Sequence, residues 1–588
     1  MQVFFSERIN EMKNNVQFHV DGLPEGTPLE IRTEARGQVE IYTLIVGKPG
    51  GPELNLAGMT IHISADASEA AGRWHPQCNF PGVMQTWNSN ISASYKYGAP
   101  VCSYYRQDDT NCLTVAVDDC FSVWNIRSGI SEHTKRLEVN ISHSDLKTDT
   151  RVVKVFVDSS DRPYHQALRD VKDWWAETRE KTLYIPESAY DPVYSTWYTF
   201  HCNIDEERIL HQCELAKELG LRTVFVDDGW ATPWNPSNIM IYSGDWKPND
   251  SKFPNIRRFV EKVHALGMKA VLWIAPFTAG FESRAARLYQ NRILRTMSSY
   301  YVLDPRYPEI RADVCRDVCR IIEDYGFDGL KIDFLYAMSG DVGEPDDNRD
   351  FDSVNAALQC FLENMKRRLD ESNPEVLIEY AESHAGPDII TNANIARSGD
   401  CAQDFTTNRY HIIMLRLYTD AAVHADMVQM IPNEDAEKSA LQLTNILFST
   451  PQISVDLDKI SEDQRRMLRF WLGFMSEKRE LLQKSSFEPS RCYANFPAVT
   501  VRSATERLTA LYAENLLMLD EMAEQVYIVN AYDRKPVYLG CEQPSEAEYT
   551  ILNCMGEETA RGTLTLGSTP TAAEIPFNGM MILKNRSI

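Results

Sequence analysis

Within the hexapeptide Gly329-Leu330-Lys331-Ile332-Asp333-Phe334, an apolar run carries a lysine and an aspartate two residues apart. On a β-strand the period of two puts both charges on one face. A strand buried on both sides has no use for them unless that face opens onto a site. Lysine beside aspartate favours the ionised carboxylate, the form a covalent nucleophile requires. A salt bridge closing off a strand end is the competing reading, and this stretch alone does not separate the two.

Other candidates stand at comparable places. Asp227-Asp228-Gly229-Trp230 follows the apolar run Thr223-Val224-Phe225-Val226, Trp273 follows Ala270-Val271-Leu272, and Trp197 follows Tyr194-Ser195. Glu379 and Glu382, Arg397 and Asp400, and His424 with Asp426 come later. Carboxylates bond vicinal hydroxyls and indole faces stack on sugar rings, while paired acids acting as nucleophile and acid/base mark glycoside cleavage. Asp-Asp-Gly is also a common turn. Trp273 equally suits a barrel core, His424 reads as a packing residue, and Glu382 and His384 read as caps of the next element. Asp404 suits the first turn of a helix.

The elements that must hold these residues follow from pattern. Strand candidates at 193–200, 222–227, 268–275, 327–333, 375–381, 393–397, 426–431 and 452–456 alternate with helices at 205–219, 255–266, 309–325, 350–370, 405–419, 434–448 and 462–480. Eight strands with intervening helices predict an α/β fold, a (β/α)8 TIM barrel over 193–484, in which catalytic groups occupy the C-terminal strand ends. Residues 1–160 alternate in short strands between turns and predict an N-terminal β-sandwich; Trp87 and Trp124 read there as core. Residues 161–192 form a linker helix and its exit, and 485–588 a small C-terminal β-sandwich.

Bulk properties narrow the function. The 588 residues exceed one core, and a net charge of −24 disfavours nucleic acid and anionic membrane surfaces while suiting a neutral substrate. The start of the chain does not read as an export signal, and no run of eighteen apolar residues occurs. Thirteen cysteines at irregular spacing read as reduced thiols, which predicts a cytoplasmic protein with no disulfide framework. No pattern calls for a metal or a cofactor.

Together these stretches resemble glycoside hydrolase family 36, in the clan it shares with family 27. The resemblance rests on Asp227-Asp228-Gly229-Trp230, Gly244-Asp245-Trp246 with Lys252-Phe253-Pro254, Ala270 to Trp273, Tyr301 to Pro305, Lys331-Ile332-Asp333 and Ser398-Gly399-Asp400. It implies a retaining α-galactosidase-like enzyme that acts on an oligosaccharide or glycoside, with homo-oligomers common among relatives. Asp333 would be the nucleophile and Asp400 the acid and then base, roughly 5–5.5 Å apart. Asp227, Asp228, Trp273, Lys331, Trp197 and Arg397 would bind the sugar.

Three departures bear on specificity. Ile332 and Leu335 replace the Trp and Asn of the family's Lys-Trp-Asp-Met-Asn, Ala275 replaces a glutamate after strand 3, and Glu382-Ser383-His384-Ala385-Gly386 replaces a Cys-Ser-Gly-Gly loop near the sugar's 2-position. These leave α-N-acetylgalactosaminidase and β-L-arabinopyranosidase as alternatives on the same scaffold. From other classes, a metal-dependent barrel enzyme using Asp227 and Asp228, or a non-catalytic sugar-binding protein, also fits.

Overall fold

A computed structural model describes residues 16–67, 69–76, 81–143, 147–179, 181–236, 238–338 and 346–586. Its centre is a parallel barrel of β1 (Val193–Ser195), β2 (Thr223–Val226), β3 (Lys269–Ile274) and β4 (Gly329–Ile332), continued by β5 (Leu377–Ala381), β6 (Ile395–Arg397), β7 (Ala422–His424) and β8 (Gln452–Ile453). Each strand pairs in parallel with its neighbours, and β8 pairs with β1. Single bridges His424–Thr450 and Val428–Ile453 close the ring between β7 and β8.

The surrounding helices are α1 (Glu206–Glu218), α2 (Ile256–Ala265), α3 (Pro308–Glu323), α4 (Val354–Ser372), α5 (Phe405–Tyr418), α6 (Ala436–Asn445) and α7 (Glu462–Glu477). Each but α3 starts on an Asp, Asn or Ser side chain that accepts a first-turn N–H; α3 opens on proline instead. Asp404 is such a cap, accepting from Thr407 at 3.0 Å. The carboxylates of Asp205, Asp404 and Asp435 thus satisfy helix ends and are lost to chemistry.

Two strands depart from the sequence expectation. The seventh is Ala422–His424, not 426–431. The apolar run Met427-Val428 carries the stronger β signature, but the ring takes the small Ala422 at its narrow floor. Asp426 therefore lies just beyond the strand end, where a side chain reaches the site. The first strand stops at Ser195, and Trp197 stands on a one-turn helix that ends at His201 with a positive φ of 46°.

The barrel is filled in two layers set by the period of two. Val193, Phe225, Val271, Leu377, Ile395 and Ala422 make an apolar floor, plugged from below by Ala189 with Ile185 and Tyr190 against it. Two residues further along come Asp227, Trp273, Lys331, Glu379, Arg397 and His424, a polar layer.

At the N-terminal end, a five-stranded and a six-stranded antiparallel sheet enclose a core that includes Leu44, Ile63, Leu113 and Val139. Trp124 is buried in it, but Trp87 is 66 % exposed, so the core reading fails for that residue. Helix Tyr164–Thr178 buries Leu168, Val171, Trp174 and Trp175 in the main core, tying this sandwich to the barrel. A seven-stranded and a three-stranded sheet follow the barrel from Ser486 onward.

Gly329 faces β5 at the floor, where a Cβ would come 2.3 Å from the Leu377 carbonyl oxygen. Gly329→Ala should lower stability by about 1–3 kcal/mol, the usual cost of overpacking. A urea titration checks it: the midpoint falls while the slope stays the same.

Candidate active site

The C-terminal mouth of the barrel opens into a cavity of about 480 Å³. All eight residues singled out from the sequence line it: Trp197, Asp227, Asp228, Trp273, Lys331, Asp333, Arg397 and Asp400. They come from five different strand ends, β1 to β4 and β6, as catalytic groups on this fold do.

Asp333 ends β4. Its backbone N–H bonds to the Ile274 carbonyl at 2.9 Å, so the turn after β4 is hung from β3. The next residue, Phe334, is held at φ 60°, a left-handed conformation that a non-glycine residue adopts only at a cost. That turn aims the Phe334 N–H at Asp333 Oδ1 (2.7 Å), while the Trp273 indole donates to Oδ2 (3.2 Å). Trp273 is fixed in turn by the Trp246 ring edge, and the Trp230 indole donates to its carbonyl oxygen at 3.0 Å.

Below this, Lys331 donates to Asp227 at 2.6 Å with both side chains buried. Burial works against the ammonium, but the Asp227 charge outweighs it and lifts the Lys331 pKa above its ordinary value. Asp228 accepts from the Gly229 N–H at 2.6 Å. Burial first, then the Asp227 charge, pushes its pKa up to about 7, so near neutrality it exchanges between donor and acceptor. Lys252 spans the Cys202 and Gly229 carbonyls at 2.7 and 2.8 Å and clamps this turn from beneath.

Arg397 is the second buried cation. Its guanidinium meets Asp400 and Asp426, each at 2.9 Å, and Glu379 at 3.3 Å. Glu379 also takes a bond from Gln452 at 2.6 Å. Burial disfavours the Arg397 charge, yet Asp400, Asp426 and Glu379 together raise its pKa well above normal. Asp400 alone of these acids faces the cavity: 68 % of its side chain is exposed. The Arg397 charge holds its pKa below the ordinary carboxylate value. Asp333 and Asp400 both act on Tyr336, whose hydroxyl is pushed up to about 12, by burial first and then by their charges.

Several residues of the site play parts that the sequence reading did not give them. Asp426 is fully buried and accepts from Tyr198 at 2.9 Å and from the Cys401 N–H at 2.7 Å; it holds Arg397 and the turn beside Asp400. Glu382, read as a cap, lines the cavity, with Oε2 3.2 Å from both the Gly399 N–H and His411 Nδ1. Tyr97 reaches the cavity from the N-terminal sandwich. Its loop is seated on the Glu382–Gly386 turn, where Gly98 N–H donates to the Ser383 carbonyl at 3.2 Å and His384 meets the Lys96 carbonyl at 2.5 Å. A Cβ on Gly386 would come 2.5 Å from the Gly98 carbonyl oxygen, so this seam requires glycine. Tyr336, Tyr410, His411 and Met414 also line the wall, and no strand-end pattern marks them.

His424 is a satisfied interior residue, with Nε2 2.6 Å from the Ala189 carbonyl and Nδ1 3.1 Å from Gln452. The buried Lys331 ammonium on Asp227 puts a positive charge beside the pair, which disfavours the divalent-metal alternative there. Among the described residues, the group that could ligate a metal is His19, Asp21 and His62, on the N-terminal sheet.

Comparison with known proteins places this geometry. The Melibiase family profile matches residues 179–485, more than half of the chain. The chain belongs to the Melibiase family. It is 23 % identical over 236 residues to the α-galactosidase Mel36A of Lactobacillus acidophilus, covering 39 % of this chain and 31 % of that protein. Over 175 residues it is 30 % identical to the A type blood α-D-galactosamine galactosaminidase of Flavonifractor plautii, covering 26 % of this chain and 15 % of that one. The chain thus spans about a third or less of the length of these curated relatives. The crystal structure of the family 36 α-galactosidase AgaA from Geobacillus stearothermophilus superposes with a TM-score of 0.66 at 14 % identity, covering 97 % of this chain and 88 % of that one. The chain therefore has the fold of that structure, with a barrel between two β domains, as the motifs imply.

An acid whose pKa is higher folded than unfolded binds more protons when folded, so its site costs stability as pH rises. For Asp228, the rise from 3.8 to about 7 corresponds to about 4 kcal/mol. Asp228→Asn should therefore gain stability relative to the parent between pH 4 and pH 8, by up to that amount, in urea titrations at the two pH values.

Proposed function

We propose that the protein is a retaining glycoside hydrolase that releases terminal α-linked galactose by double displacement. The observation that carries this reading is one cavity in which two acids from separate strand ends, Asp333 and Asp400, share a wall with Asp227, Asp228 and Trp273. Asp333, with a hydrogen bond on each oxygen, is the nucleophile. Its carboxylate attacks the anomeric carbon and forms a glycosyl ester, while Asp400 protonates the departing oxygen. Asp400 then takes a proton from the water that cleaves the ester. Asp227, Asp228 and Lys331 bond the ring hydroxyls, and Trp273 and Trp197 pack on its apolar face.

The charges support this exchange of roles. Asp333 and Asp400 both bear on Arg397 and Tyr336. Neutralising Asp333 as an ester removes a negative charge near Asp400, which then gives up its proton more readily. Filling the cavity with sugar strips water from the exposed Asp400 side chain and favours its protonated form. The F. plautii relative is named for galactosamine, so the substituent at the sugar's 2-position is the second arm of this reading.

No helix among the described residues is long and apolar enough to cross a membrane. The scattered free thiols fit a cytoplasmic location.

Asp333→Ala should lower turnover of an aryl α-galactoside by about 10⁴-fold or more, the scale for removing a covalent nucleophile. Near-normal turnover would remove Asp333 from this role. Asp400→Ala should cost about 10²–10⁴-fold on an oligosaccharide and less on an aryl glycoside whose leaving group needs no proton. Equal losses on both would assign Asp400 elsewhere.

The Arg397 charge also sets a pH dependence. The protonated form of Asp400 is scarce in the free enzyme because its pKa is depressed. The value of kcat/KM, which reports the free enzyme, should thus be higher at pH 5 than at pH 7. A profile rising towards neutrality would contradict that assignment.

A further inference from the structure

A second cavity, of about 420 Å³, lies at the floor end of the barrel, away from the candidate active site. Its walls are the helix Tyr164–Thr178, the last turn of α5 with the chain into β7, and residues 483–487. Tyr190, which packs against the plug of the barrel floor, lines it as well. Such a volume suits a small molecule.

The charge of this lining runs against that of the chain. Acids outnumber lysine and arginine 84 to 60 overall, whereas here Arg169, Lys172, Arg416 and Lys484 face Asp173 and Asp420. Lys172 is matched by Asp420 at 3.2 Å, and Lys484 by Glu187 and Glu480, each at 3.0 Å. Among the described residues, Arg169 and Arg416 have no carboxylate partner, and Asp173, exposed at the rim, has no ion pair.

Arg416 is the least expected of these groups. Its Nη1 donates to the Phe448 and Leu482 carbonyls at 2.8 and 2.9 Å, and its guanidinium lies over Phe487, 4.4 Å from the ring centroid. These contacts fix the group and leave its charge unmatched. Nε and Nη2, the two N–H groups along one edge, meet no acceptor among the described residues. Burial pushes the Arg416 pKa down to about 10. The nearby His165 lies in the same positive field: burial first, then the Arg169 and Arg502 charges, push its pKa down to about 4. Buried charge is costly unless paired, so a cation on a cavity wall calls for an anion. Neutral donors stand beside it. Gln483 Oε1 accepts from the Thr450 hydroxyl at 3.2 Å, which leaves Nε2 and the Tyr190 hydroxyl to bond a ligand.

We propose that this cavity binds a dianionic phosphate, free or as the monoester of a small molecule, with Arg416 and Arg169 on its oxygens. The open edge of a guanidinium offers two parallel N–H groups to two oxygens of one phosphate. The surplus of two positive charges in the lining equals the charge of the dianion, and a carboxylate would answer only one of them. The site is separate from the hydrolytic groups and stands whatever reaction they perform.

Isothermal titration of the whole protein at pH 8 tests this, using inorganic phosphate, glycerol 3-phosphate and acetate in chloride buffer of constant ionic strength. At least one of the two phosphates should bind at one site per chain with a dissociation constant below about 1 mM, and acetate about ten-fold more weakly or worse. Tighter binding of the ester identifies a phosphorylated small molecule as the ligand, and equal binding identifies free phosphate. Arg416→Gln should weaken phosphate binding by about ten-fold or more. Arg416 also ties two carbonyls, so Arg169→Ala, at an exposed position, is the variant that keeps the fold; it should weaken binding by about three-fold or more. Absence of saturable phosphate binding, equal affinity for acetate, or undiminished affinity in Arg169→Ala overturns the proposal.

Discussion

Two cations inside a barrel are the constraint on which the rest of the site depends. Lys331 and Arg397 are both buried, the first paired with Asp227 and the second with Asp400, Asp426 and Glu379. Charges in such a place persist only when paired and hydrogen-bonded. The pairing fixes the barrel's polar layer: Asp227 is held by Lys331, while Glu379, Asp426 and Asp400 converge on Arg397. Asp333 stands one step above, two residues beyond Lys331 on the same face of β4. The fold supplies a rigid floor of apolar side chains, and the ion pairs set on it hold the cavity acids in position.

The same arrangement explains a division of labour among chemically identical groups. Asp426 and Asp400 meet the same guanidinium at the same distance, yet one is sealed and the other opens on solvent. The sealed acid pairs with Arg397 away from solvent. The open one is free to change its protonation when the cavity fills. Asp227 and Asp228, adjacent in sequence, are separated in the same way, one locked to an ammonium and the other held by a backbone N–H and able to titrate near neutrality.

How much of this was legible depends on whether a residue belongs to a periodic element. The barrel strands and helices follow from apolar period, and the strand-end acids follow from the strands. Asp227, Asp228, Lys331, Asp333 and Asp400 could therefore be named from the sequence, and the cavity contains them all. Asp426 was placed on the wrong side of its strand because Met427-Val428 is more β-like than Ala422-Val423, and local propensity does not measure how narrow a barrel floor is. Tyr97, Tyr336, Glu382 and His411 stand on loops or on a helix flank, where no period marks which side chain turns inward. Trp87 shows the converse, since an indole in a β domain is not thereby in its core.

The seam between the Tyr95–Gly98 loop and the Glu382–Gly386 turn has a consequence for how such a protein changes over generations. The wall formed by the Glu382–Gly386 turn is braced by a separate folding unit, through the backbone bond from Gly98 to Ser383 and the His384 side chain on the Lys96 carbonyl. Ser383, held through its carbonyl, can therefore vary without moving the turn's main chain, whereas His384 and Gly386 cannot, and exchanging the whole N-terminal module would remodel the wall at once. New sugar preferences in this lineage are thus open to recombination between modules as well as to point mutation within the barrel.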